Sequence, residues 1–80
     1  MIVKILAFGI AADIAGSRSF TLDLPDNATV LDLKSHLRAV FPPLGTLTSV
    51  LIAVNEDYGN DSLVLKETDD IAIIPPVSGG

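Results

Sequence analysis

The hydrophobic and polar positions of the first 24 residues predict two strands of different character. Residues 2–8 are apolar apart from Lys4, a run that suits a central strand covered on both faces better than one with a wet face. Residues 19–24 alternate strictly, with Phe20, Leu22 and Leu24 on one side and Ser19, Thr21 and Asp23 on the other. That is the pattern of an outer strand with one face in water. Residues 9–17 read as a loop containing Gly9 and Gly16. Their spacing fits neither a dinucleotide fingerprint nor a phosphate-binding loop with its lysine, so no nucleotide site is expected there.

Pro25-Asp26-Asn27 is a turn signal. Thr29 then reads as a helix N-cap, with Asp32 three residues on in a position like that of a capping box. Val30, Leu33, Leu37 and Val40 follow at helical spacing, Phe41 extends the stripe, and Pro42-Pro43 stops it. One amphipathic helix crossing one face of a sheet is predicted. Residues 44–49 form a connector with room for a short helical turn, and residues 50–54 are a further apolar, β-branched strand closed by Asn55. Residues 56–61 read as a polar loop in which Tyr58 is either surface packing, the favoured reading, or a partner contact. Residues 63–65 suit a very short strand, and residues 66–70 turn the chain into the apolar run 71–74.

That run ends in Pro75, Pro76, Val77, Ser78, Gly79 and Gly80. The prolines cannot continue a sheet or helix, so the expected organisation is a domain over residues 1–74 and an extended tail over residues 75–80. Extended at about 3.3–3.6 Å per residue, the tail reaches roughly 20 Å, enough to enter a partner's pocket. The prolines lower the entropy lost on docking, and the glycines make the end thin enough for a narrow channel. The tail's one reactive group is the α-carboxylate of Gly80, a poor electrophile until an enzyme activates it, most simply as an acyl-adenylate made from ATP. ATP is then the partner's cosubstrate, and no stably bound cofactor or metal is expected in this chain.

Composition narrows the classes. Eighty residues make one small domain, with little core to spare for an internal active site. The sequence has no cysteine, which excludes disulfide staples, thiolate metal sites and carriage on a thiol. A net charge of −5 argues against nucleic acid as a partner. The excess sits between Glu56 and Asp70, where six acids face Lys66 alone, while the rest of the chain balances four acids with four bases. This window reads as a solvated loop or as a patch that steers the domain toward a basic partner. No membrane span or signal peptide is visible, so a cytoplasmic location is expected. His36, the one histidine, lacks a nucleophile or metal co-ligand and reads as a helix-surface residue. No acid/base pair for a stand-alone enzyme can be assembled.

The order of elements suggests an α+β fold of the β-grasp (ubiquitin-like) kind. It would have a mixed sheet of four to five strands with one main helix packed on one face and the first and last strands side by side in the centre. Within that frame, Ala53-Val54-Asn55 at the end of the third main strand, Leu65 before the acidic turn and the closing residues 71–80 resemble the small, sulfur-carrying subunits of molybdopterin synthase. The final ten residues are the specific part. The resemblance implies that an adenylating enzyme of the E1 type activates Gly80 and that a sulfur donor converts it to a thiocarboxylate. The tail then enters the large catalytic subunit, in a heterotetramer of two small and two large chains. Sulfur would pass there to cyclic pyranopterin monophosphate, with Gly80 carrying it and Pro75, Pro76, Val77, Ser78 and Gly79 seated in the partner. Apolar residues near the exit of the last strand are expected to meet the large subunit. Thr68 stands where many relatives turn on a glycine, and Ile73 and Ile74 stand where some have aromatic residues. Sulfur delivery to thiamine's thiazole or to a tRNA base, and a ubiquitin-like modifier joined to lysines, are the alternatives.

Overall fold

The computed structural model describes residues 1–47 and 50–75. Strand β1 (Ile2–Ala7), helix α1 (Gly9–Ala15) and strand β2 (Ser19–Asp23) come first, followed by helix α2 (Val30–Val40) and a 3-10 turn at Pro42–Thr46. Strands β3 (Leu51–Val54), β4 (Asp57–Tyr58) and β5 (Ile71–Ile74) complete the chain. The sheet order is β2-β1-β5-β3-β4. β1 and β5 run parallel in the centre, and the other pairings are antiparallel. This is the central pair expected from the two most apolar strands.

α2 begins as its sequence dictates. The backbone N–H of Asp32 donates to Thr29 Oγ1 (3.3 Å), and the N–H of Thr29 donates to Asp32 Oδ2 (2.9 Å), a reciprocal capping box. Val30, Leu33 and Leu37 are buried in one core with Val3, Ile5, Ile52, Ile71 and Ile73. Each such side chain contributes roughly 1.5–3 kcal/mol by leaving water. Val40, predicted to continue the stripe, is 52% exposed. The helix ends there, and Phe41 turns inward instead, its ring edge-on to Phe20 with centroids 5.2 Å apart.

Four local expectations are corrected. Residues 9–15 are helical, not a loop. Phe8 at the N-cap offers no side-chain cap, so the usual start signal is missing, while Gly16 closes the helix in the left-handed region (φ 76°) with its N–H on Ala12 O at 2.9 Å. The expected polar loop at 56–61 contains β4, joined to β3 by a two-residue turn. Its central residues, Asn55 and Glu56, both have positive φ (52° and 73°), as a type I′ hairpin requires. Glu56 occupies a position that glycine favours, which hid the turn. Residues 63–65 make only a bridge between Val64 and Thr29. Tyr58 is 70% exposed, against the favoured reading of surface packing.

The turn into β5 needs no glycine. Among the described residues, those with positive φ other than glycine are Asn27, Asn55 and Glu56, and Thr68 is not one of them. Asp69 builds the turn, accepting from the Lys66 N–H (2.8 Å) while its own N–H donates to Lys66 O (3.0 Å). Asn55 ties the hairpin to it, donating to Asp69 Oδ1 and accepting from the Asp70 N–H, each at 2.9 Å.

One further correction bears on function. β1 is central but covered on one face only: Val3, Ile5 and Ala7 are buried, whereas Ile2 and Leu6 are 53% and 40% exposed.

Candidate functional site at the root of the tail

Because β1 and β5 are parallel, their C-terminal ends emerge at the same edge of the sheet. β1 runs out through Phe8 to Gly9, and β5 through Ile74 to Pro75. The Pro75 ring lies where a side chain at residue 9 would meet it, with Cγ 3.4 Å from the position of a Cβ on Gly9. Gly9 also has φ 54°, so this position suits glycine on two counts. Beside this root lies an open cavity of about 440 Å³ lined by Leu6, Ala7, Phe8, Gly9, Ala12 and Arg18.

The uncovered face of the sheet leads to the same place. The register sets Leu6 beside Ala72, Ala72 beside Ala53 and Ala53 beside Tyr58, an apolar row across four strands. Leu51 opposite Ile74 forms the start of a second row. Leu6, Leu51, Phe8 and Tyr58 are 40%, 47%, 52% and 70% exposed, although apolar side chains gain by leaving water. A continuous apolar band of this kind marks an interaction surface. It lies near the exit of β5, where docking is expected; a partner contact is one of the two sequence readings of Tyr58, but Leu6 and Phe8 were not individually anticipated. The signal was Lys4: one polar residue in a period-two strand assigns residues 2, 6 and 8 to its own, wet side.

Pro75 is half-buried against the domain, whereas Pro76, Val77, Ser78, Gly79 and Gly80 lie outside the described residues. Asp57, Asp69 and Asp70 lie near the start of β5, Asp61 pairs with Lys34 on α2, and the tail continues from the end of β5. His36 is half-buried on α2, with Nδ1 3.1 Å from the Asp32 carbonyl oxygen. A second cavity, of about 290 Å³, has Leu37, Leu44 and Ile52 in its walls and shares no lining residue with the first. Its Lys34 is held by Asp61 at 2.8 Å. Among the described residues no helix is long and apolar enough to cross a membrane.

The sequence profile of the ThiS family matches residues 5–80. The chain belongs to the ThiS family. This ThiS-family chain is 40% identical over 81 residues to the molybdopterin synthase sulfur carrier subunit of Dictyostelium discoideum, covering 96% of this chain and 94% of that protein. It is 38% identical over 79 residues to the subunit of the same name from Arabidopsis thaliana, covering 98% and 82%. Among solved structures, a putative molybdopterin converting factor subunit 1 from Pyrococcus furiosus superposes with a TM-score of 0.88 at 27% identity, covering 96% and 99%. SAMP1 from Haloferax volcanii gives 0.85 at 26% identity with both chains fully covered. A chain from the complex of subunits 1 and 2 of the molybdopterin-converting factor of Helicobacter pylori gives 0.68 at 27%, again with full coverage of both. The β-grasp fold expected from the order of elements is the one observed.

Proposed function

We infer that this chain is the sulfur carrier subunit of a molybdopterin synthase. The observation that carries the reading is its near full-length identity, up to 40% in the relatives described above, to subunits of that name. The ending Pro75-Pro76-Val77-Ser78-Gly79-Gly80 suits the chemistry. The Gly80 carboxylate is adenylated by an activating enzyme with ATP, releasing pyrophosphate. A sulfur donor then displaces AMP to leave a thiocarboxylate. The tail enters the large subunit, where the ionised, soft sulfur is held at high effective concentration beside cyclic pyranopterin monophosphate. Two deliveries supply the two sulfurs of the dithiolene: each time the sulfur bonds to the substrate as a thioester of Gly80, and water then cleaves the acyl C–S bond, leaving the sulfur on the substrate and the carrier as a carboxylate. The chain is the non-catalytic partner, and the synthase is a heterotetramer of two small and two large subunits. The Helicobacter pylori complex of subunits 1 and 2 supports a large-subunit partner. The apolar band from Leu6 to Tyr58 supplies the surface on which that partner docks.

Intact mass spectrometry tests the assignment. After incubation with the cognate activating enzyme, ATP and a sulfur donor, the chain gains the mass of one oxygen exchanged for sulfur, and addition of the large subunit with substrate reverses the gain. A chain that stays unchanged in mass while the activating enzyme consumes ATP would sink the reading. The likeness at 26% identity to two SAMP1 proteins, one of them described as a small archaeal modifier protein, favours a second use of the same carboxylate, as an isopeptide link to target lysines. Conjugates then appear as higher-mass species of other proteins.

A further inference from the structure

The cavity beside the tail root has apolar walls and one charged side chain, Arg18. The ion pairs among the described residues join the N-terminus to Asp23 and Asp26, and Lys34 to Asp61. Arg18 therefore pairs with no described carboxylate, including Asp13 on neighbouring α1. Its backbone is held in place nonetheless, because its carbonyl accepts from the Ala7 N–H at 2.9 Å, fixing the segment before β2 against the end of β1. Asp57, Asp69 and Asp70 lie near the opposite end of β5. The tail end of an otherwise acidic protein thus offers a partner an apolar hollow with a cation at its margin, continuous with the exposed side chains of Leu6 and Phe8.

We propose that Arg18 is the polar anchor of the tail-receiving interface. The large subunit seats an apolar side chain between Leu6, Phe8 and Ala12 and presents a carboxylate to the Arg18 guanidinium. Arginine suits this role because its planar fork meets both carboxylate oxygens at once, which fixes orientation as well as charge. Orientation matters here because Pro75, whose ring lies against Gly9 of the cavity wall, is the residue from which the tail continues. Arg18 would act as a positioning residue and would take no part in the sulfur chemistry.

The proposal rests on the molybdopterin synthase reading, and one titration separates the two. Calorimetry of the full chain with the cognate large subunit, at salt concentrations from about 0.05 to 0.5 M, reads affinity and its screening together. Arg18→Glu should weaken binding roughly 10- to 100-fold and flatten the salt dependence, with an unchanged melting midpoint. Arg18→Lys should fall between it and the wild type, because it keeps the charge and loses the fork. Equal affinity and equal salt slope for wild type and Arg18→Glu would overturn the anchor while leaving the carrier reading intact. Failure of the wild type to bind the large subunit would remove both. Self-association of the wild type abolished by Arg18→Glu would overturn the proposal in favour of a second copy as the occupant.

Discussion

Ile5 and Leu6 are neighbours on one strand, of nearly equal size and hydrophobicity, yet they do opposite things. Ile5 is fully buried beneath α2, whereas Leu6 is 40% exposed on the bare face of the sheet. The covered face is closed by Val30, Leu33 and Leu37, and what it buries holds the domain together. The bare face keeps Leu6, Leu51 and Phe8 in water at a standing cost, and that cost is recovered only when another surface covers them. A single residue step along a strand therefore separates stability from association.

The largest expected effect lies beyond both faces. Deleting Gly80 should abolish sulfur transfer in a molybdopterin-forming assay and leave thermal unfolding unchanged; a lowered melting midpoint would mean that the tail belongs to the domain. On the covered face, Ile5→Ala should destabilise the fold by about 2–5 kcal/mol in urea unfolding, because it leaves a cavity in a packed core. At a temperature where that variant remains folded, its affinity for the large subunit should be unaltered. Phe8→Ala reverses the pattern: binding to the large subunit weakens at least roughly tenfold, about 1.4 kcal/mol, without a change in unfolding midpoint. If Phe8→Ala instead lowered stability and spared binding, the division between the faces would be wrong. The smallest effect tests the hairpin that carries Tyr58. Glu56→Gly should stabilise the domain by about 0.4–1 kcal/mol, since glycine relieves the left-handed residue at φ 73°.

Legibility followed the range of the interactions. The capping box of Thr29 and Asp32 and the alternation of residues 19–24 were readable because each is closed within a few residues. α1 was missed because its start has no polar cap, and β4 because Glu56 stands where a hairpin signal would place glycine. The chemistry proposed for Gly80 rests on the sequence alone, because residues 76–80 lie outside the described residues. The apolar band was legible only near the exit of β5, since its other members come from β1 and from the β3–β4 hairpin, which the chain keeps far apart.

By itself, the sequence determined the two most apolar strands, the start of α2, the concentration of acid between Glu56 and Asp70 and the slender end on Gly80. These follow from local geometry, patterning and charge, which need no partner across space. Only the tertiary structure decided that the bare side of β1 joins residues of β5, β3 and β4 in one band and that Arg18 stands beside Pro75's point of departure. With a single helix layer to cover it, a sheet this small must leave one face to water, and the pairing of β1 with β5 decides where that face meets the tail.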